Sequence, residues 1–129
     1  MSLEENKMKI AKGLSILGIV AMTAVLFYGF TEGSFFDDGG ELLRNPWGIV
    51  SIVDLYVGFT LFSLWIAFRE KSVWISVLWI ISVMILGFFA ASVYVFYHLQ
   101  KSGEDVLLFF LGARKNKLVK AEIEKNWSE

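Results

Sequence analysis

Residues Trp47 to Phe68, WGIVSIVDLYVGFTLFSLWIAF, form an unbroken apolar run with a single carboxylic acid, Asp54. The hydrocarbon core of a bilayer, about 30 Å thick, needs about 20 residues at a helical rise of about 1.5 Å, so this run reads as a transmembrane helix. Its start is well marked. Asn45 can cap the helix, Pro46 suits the first helical position because its missing N–H would be unpaired there anyway, and Trp47 belongs at the headgroup level. Asp54 then lies roughly 10 Å inside the apolar zone. A carboxyl group at that depth costs roughly 2.5 to 3.5 kcal/mol on insertion scales, so it needs a partner, a water-filled cavity or a function.

Two more apolar stretches flank this one, from about Ile10 to Phe30 and from Val73 to about His98. The composition agrees with a membrane protein: 56% hydrophobic, 16% aromatic, mean hydropathy +0.58, one proline and no cysteine. The lack of cysteine excludes disulfides, thiol catalysis and cysteine metal sites together. The predicted fold is therefore an all-α membrane protein, one integral membrane domain over residues 1–129. It has three transmembrane helices, at about 10–30, 47–68 and 73–98, plus a C-terminal interfacial amphipathic helix at about 104–125. The connections, 31–46 and 69–72, are too short for a second domain and make successive helices antiparallel neighbours. Met1 to Asn6 is polar and reads as a frayed start. Lys7, Lys9 and Lys12 before the apolar core would suit a signal peptide. The core is long, however, and no small-x-small cleavage pattern follows it, so the helix reads as retained.

With three straight spans, Lys7, Lys9, Lys12, Arg69 and Lys71 share one side of the membrane. Arg44, Lys101, Arg114, Lys115, Lys117, Lys120 and Lys125 share the other. The first helix and the charges nearest helix ends weigh most, which places the N-terminus in the cytoplasm of a multi-pass protein of the cell inner (plasma) membrane. The basic tail pulls the opposite way. That tail opens at Lys101-Ser102-Gly103, and its apolar run Val106 to Leu111 is too short to span but can lie in the interface, with Arg114, Lys115, Lys117 and Lys120 toward phosphates.

Trp47, Ser51, Asp54, Gly58 and Trp65 fall on one stripe of the second helix, and such a face is expected to turn inward, away from lipid. At Asp54's depth, three straight helices would bring Thr23 from the first and Tyr94 from the third, with His98, the only histidine, nearer the surface. The candidate ligand- or ion-binding set is thus Asp54, Ser51, Tyr94, Thr23 and His98. The plainer reading makes Tyr94, Tyr97 and His98 an aromatic belt and Asp54 a hydrogen bond between helices. Small residues offer helix contacts: Gly87 with Ala91 on the third helix, and Gly13, Gly18, Ala21 and Ala24 on the first.

Glu32, Asp37, Asp38 and Glu41 crowd the first connection, but their spacing lacks a calcium-loop order. It reads as a solvated turn with Phe35 and Phe36 dipping into the interface. No catalytic residue, metal site or cofactor is expected, and no nucleotide loop, zinc signature or nucleic-acid patch is present.

The run Asn45 to Phe59, followed by Ser63-Leu64-Trp65-Ile66-Ala67-Phe68-Arg69-Glu70-Lys71-Ser72, resembles small membrane proteins of an uncharacterised domain-of-unknown-function family of bacteria and plants. The glycine and phenylalanine loop before it and Phe109-Phe110-Leu111-Gly112 in the tail are similar too. The resemblance implies the same three-helix membrane plan and carries over no activity. Two functional readings lead, neither of them enzymatic; a third, an enzyme acting on lipids, ranks below them because one acid and one remote histidine are a thin constellation. In one, a small homo-oligomer binds or passes a solute, cation or proton at Asp54. In the other, the chain is a structural or accessory subunit in a larger membrane complex, with a tail that docks a partner or the lipid bilayer.

Overall fold

The computed structural model describes residues 3–103 and 105–128. Met1 and Ser2 of the polar start, and Glu104 at the head of the predicted tail, lie outside them. Seven α-helices follow in order: α1 (Leu3–Glu32), α2 (Phe35–Arg44), α3 (Pro46–Arg69), α4 (Val73–Leu86), α5 (Phe88–Ser102), α6 (Val106–Leu111) and, after a 3-10 turn at Gly112–Arg114, α7 (Lys115–Ser128). The described residues contain no strand. The fold is all-α, with a distinct helical segment at the C-terminus.

Two helices are long and apolar enough to cross a membrane, α1 over Glu5–Glu32 and α3 over Pro46–Arg69. Only 6% and 17% of their most apolar windows are buried, whereas the core helix of a soluble protein would be mostly covered. Side chains such as Phe27, Phe30, Val53 and Leu61 stand open to the surroundings, a surface that lipid satisfies and water does not. This supports a membrane-associated location. α3 begins as its sequence dictates: Asn45 Oδ1 accepts the Trp47 N–H at 2.9 Å and Pro46 occupies the first turn. Leu3 to Asn6 do not fray; they are the first residues of α1.

The third apolar stretch departs from expectation. It is not one straight helix over 73–98 but a hairpin, α4 and α5 folded against each other at Gly87. Trp79 packs on Tyr94 with ring centroids 4.9 Å apart, and Val83, Ala90 and Ala91 share one buried cluster. Fourteen residues reach about 21 Å, well short of a bilayer's hydrocarbon core. The turn needs φ +65° at Gly87, which favours glycine, and the Phe59 ring lies 3.2 Å from where a Cβ would stand. Irregular backbone at membrane depth persists only when the protein satisfies it. Here the Gly87 N–H reaches Val83 O at 2.8 Å, and the Tyr56 hydroxyl donates to Met84 O, one of the carbonyls freed at the end of α4, at 3.5 Å.

α5 therefore runs beside α3 in the same direction. Phe88 meets Phe59, Tyr94 meets Phe62 and Trp65, and His98 approaches Glu70. α1 runs antiparallel to α5, with Gly18 against Ser92 and Met8 in a cluster with Leu99 and Phe109. The start of α1, the end of α3 and the end of α5 thus meet at one end of the bundle. The two-sided division of charge expected from straight spans gives way: of twelve lysines and arginines, only Arg44 lies in the segment at the opposite end. That opposite end is capped by α2, where a solvated turn was expected. Ser34 Oγ bonds Asp37, the Ser34 N–H bonds Asp38, and both acids suit the positive end of the helix.

Candidate functional site

The end of the bundle where α1, α3 and α5 meet receives the C-terminal segment. α6 has only six residues; the Gly112 N–H caps its Leu108 carbonyl, and side chains from outside the helix add donors to its last turn. α3 supplies them. Arg69 Nε donates to Phe109 O at 2.5 Å, its Nη2 to Leu108 O at 3.4 Å, and Trp65 Nε1 to Phe110 O at 3.1 Å. A cation at the negative end of a helix is also favourable electrostatically. Phe109 is buried against Met8, Leu99 and Trp65. Asp105 starts α6 by accepting the Leu108 N–H at 3.0 Å and pairs with Lys115. The Lys115 ammonium and the Leu108 N–H hold the Asp105 carboxyl below the usual carboxylate range.

Arg69 is 4% exposed, unusual for an arginine at the end of a helix long and apolar enough to cross a membrane, where its long side chain would be expected to reach outward. Its guanidinium sits 5.8, 5.6 and 5.9 Å from the ring centroids of Trp65, Tyr94 and Phe109, and its Nη1 donates to the Tyr94 hydroxyl at 3.2 Å. The Tyr94 hydroxyl donates in turn to Glu70 Oε1 at 2.9 Å, which also lies 3.5 Å from Arg69 Nη1. The buried charges thus have the paired and hydrogen-bonded environment they need. His98 Nε2 stands 3.3 Å from the same Glu70 oxygen but off the line of a hydrogen bond, so this buried nitrogen has no hydrogen-bond partner among the described residues. Beside it opens a cavity of about 210 Å³ lined by Arg69, Glu70, His98, Lys101 and Ser102 on one side and Leu108, Gly112 and Ala113 on the other.

Of the residues expected to form a site, Tyr94 and His98 come together here, both buried, with ring centroids 4.3 Å apart. Asp54, Ser51 and Thr23 do not join them. Asp54 is exposed on α3, Ser51 Oγ donates to its own helix at Trp47 O, and Thr23 Oγ1 to Ile19 O. The reason is the hairpin. A straight third helix would have carried Tyr94 to Asp54's level, whereas the fold at Gly87 returns it to the level of Arg69 and leaves Asp54 beyond the hairpin tip. The stripe expected to turn inward is split for the same reason: Trp47, Ser51 and Asp54 face out, whereas Gly58 lies beside Phe88 and Trp65 packs into the Arg69 end. α3 instead buries Phe59, Ser63, Ile66 and Arg69.

In the sequence Arg69 reads only as a flanking charge, and Glu70 is given no role. The signal that could have found them is their place at the start of a four-residue connection, with Trp65 one helical turn before. Among the described residues, no group of three His, Cys, Asp or Glu side chains is arranged to hold a metal ion.

The model of a family of proteins of unknown function, DUF1475, matches residues 8–117, and the chain belongs to that family. No curated protein and no solved structure matches it.

Proposed function

We propose that this member of the DUF1475 family is a structural or accessory membrane protein, without catalytic activity, whose membrane helices carry a docked C-terminal segment for a protein partner or a lipid surface. The observation that carries this reading is the use made of Arg69. Its hydrogen bonds go to Tyr94, Glu70 and the carbonyls of Phe109 and Leu108, so a buried charge fastens the tail to α3 and α5. A solute pathway would be expected to gather Asp54 with other polar groups, and this chain gathers its polar groups elsewhere. Asp54, exposed on an apolar helix, is then a contact for a second copy or another subunit, since lipid would leave the carboxyl group unsatisfied.

The same reading places the protein in the inner (plasma) membrane with both chain ends in the cytoplasm. Eleven of twelve basic residues belong to segments that start or finish at the Arg69 end, and a bias that large favours the cytoplasmic face. The chain has no cysteine, so single cysteines introduced at Lys7, Asp38 and Lys120 give a direct test with a membrane-impermeant thiol reagent. Positions 7 and 120 should label from one side and position 38 from the other. Labelling of 120 together with 38 would end the hairpin topology and the docked tail with it.

A further inference from the structure

We propose that the cavity between the ends of α3 and α5 and the docked tail binds a phosphodiester monoanion, the group that links a phospholipid to its headgroup. This rests on the docked tail of the preceding section, because Leu108, Gly112 and Ala113 form one wall. Three observations point to the ligand. The first is His98, which lines the cavity and whose buried Nε2 has no hydrogen-bond partner among the described residues. A buried polar atom without a partner is costly, and a ligand oxygen accepting from an Nε2–H would remove that cost.

The second is charge. Arg69 and Lys101 set against Glu70, with His98 neutral, leave one net positive charge among the lining residues. The negative charge of Glu70 is already spent on Arg69 and the Tyr94 hydroxyl. Lys101 is exposed, its ammonium 5.9 Å from the Tyr97 ring centroid, and its charge is the one left for an incoming anion. One net positive charge matches a phosphodiester better than the dianion of inorganic phosphate. The third is size and place. A water occupies about 30 Å³ of liquid, so about 210 Å³ holds several waters or one phosphate group with the start of its ester arms. The cavity lies where α3 ends, the level at which a spanning helix meets headgroups.

His98 is the only histidine, so its ¹⁵N imidazole signal reports on this site alone. The full chain in maltoside micelles, which contain no phosphate, is titrated separately with phosphatidylglycerol, with water-soluble glycerophosphoglycerol and with inorganic phosphate. A saturable shift of the His98 Nε2 signal is expected with at least one of the two phosphodiesters, and a weaker response to inorganic phosphate. A response to the lipid alone identifies a headgroup as the ligand, and a response to glycerophosphoglycerol alone identifies a free phosphodiester. Lys101→Gln should weaken the response about tenfold, the loss of one charge-assisted hydrogen bond, and Lys101→Arg should keep it.

No shift with either diester, or an equal shift in Lys101→Gln, overturns the proposal. Trypsin sensitivity at Lys115 and Lys117, measured on the same sample, separates the two levels of the argument. A protected tail with a silent His98 removes the phosphodiester site alone, and an unprotected tail removes both.

Discussion

α3 carries one acid, Asp54, and one basic residue, Arg69, and the two have opposite surroundings. Arg69 is enclosed by Trp65, Tyr94 and Phe109 and hydrogen-bonded to Tyr94, Glu70, Leu108 and Phe109, whereas Asp54 is exposed, with no hydrogen bond or ion pair among the described residues. The difference lies in their neighbours and not in the helix that bears them. At the level of Arg69 the hairpin and the tail surround α3. At the level of Asp54 the hairpin has already turned back at Gly87. A charge within an apolar helix is therefore no guide to burial until the elements that pass its level are known.

The contrast breaks most severely at Arg69. Arg69→Met should cost about 3 to 5 kcal/mol, the range for removing one partner of a buried ion pair, because Glu70 and the α6 carbonyls lose their donor. Limited trypsin digestion should then open at Lys115 and Lys117. Arg69→Lys should fail to restore protection, since an ammonium cannot reproduce the guanidinium's several directed bonds. A cleavage pattern unchanged in Arg69→Met would show that the tail is held by Phe109 alone.

Next in size is Gly112→Ala. Gly112 has φ +57°, and a Cβ there would stand 2.7 Å from both Cγ and O of Arg69. The strained backbone costs about 1 to 3 kcal/mol before the clash is counted. The variant should lower the thermal unfolding midpoint and expose the tail, leaving α1 and α3 helical by circular dichroism.

Acid should act on the tail more mildly. With its carboxyl held below the ordinary range by Lys115 and the Leu108 N–H, Asp105 contributes stability in full above about pH 4, where the unfolded group is ionised. That contribution fades as the pH falls from there through the lower folded value. Hydrogen exchange at the α6 amides should accelerate between pH 4 and pH 2, relative to the intrinsic rate, in the native chain but not in Asp105→Asn.

Asp54→Asn should have the smallest effect on the folded chain, within about 0.5 kcal/mol, as for other exposed positions. The variant sharpens the comparison when self-association is measured alongside. Loss of oligomers in Asp54→Asn, with the unfolding midpoint held, would assign the residue to a contact between chains. A carboxyl infrared band that titrates with added cations would instead favour the solute-binding reading.

Much of this arrangement was legible in the chain. The Asn45-Pro46-Trp47 start of α3 and the apolar lengths of α1 and α3 follow from local chemistry. The hairpin did not. An unbroken apolar run from Val73 to His98 satisfies the length rule for a span, and one glycine within it is ordinary for a membrane helix; only the packing of Trp79 on Tyr94 and of Phe59 under Gly87 decides for the fold-back. One global clue was present. Straight spans split the twelve basic residues five to seven, an indecisive division, while the folded-back path leaves Arg44 alone. The helix α2 was hidden for another reason: Gly39 and Gly40 argue against helix locally, and the Ser34 bonds to Asp37 and Asp38 outweigh them.

The half-depth hairpin also gives the molecule unequal girth. At the level of Trp79, α3 runs beside both arms of the hairpin, α4 and α5; at the level of Asp54, beyond the turn at Gly87, neither arm is present. With each helix about 10 Å across, a chain of this shape set in a bilayer takes up a larger area in one leaflet than in the other. It is a wedge, broad at its basic end, and lipids packed around it must make up the difference on the narrow side.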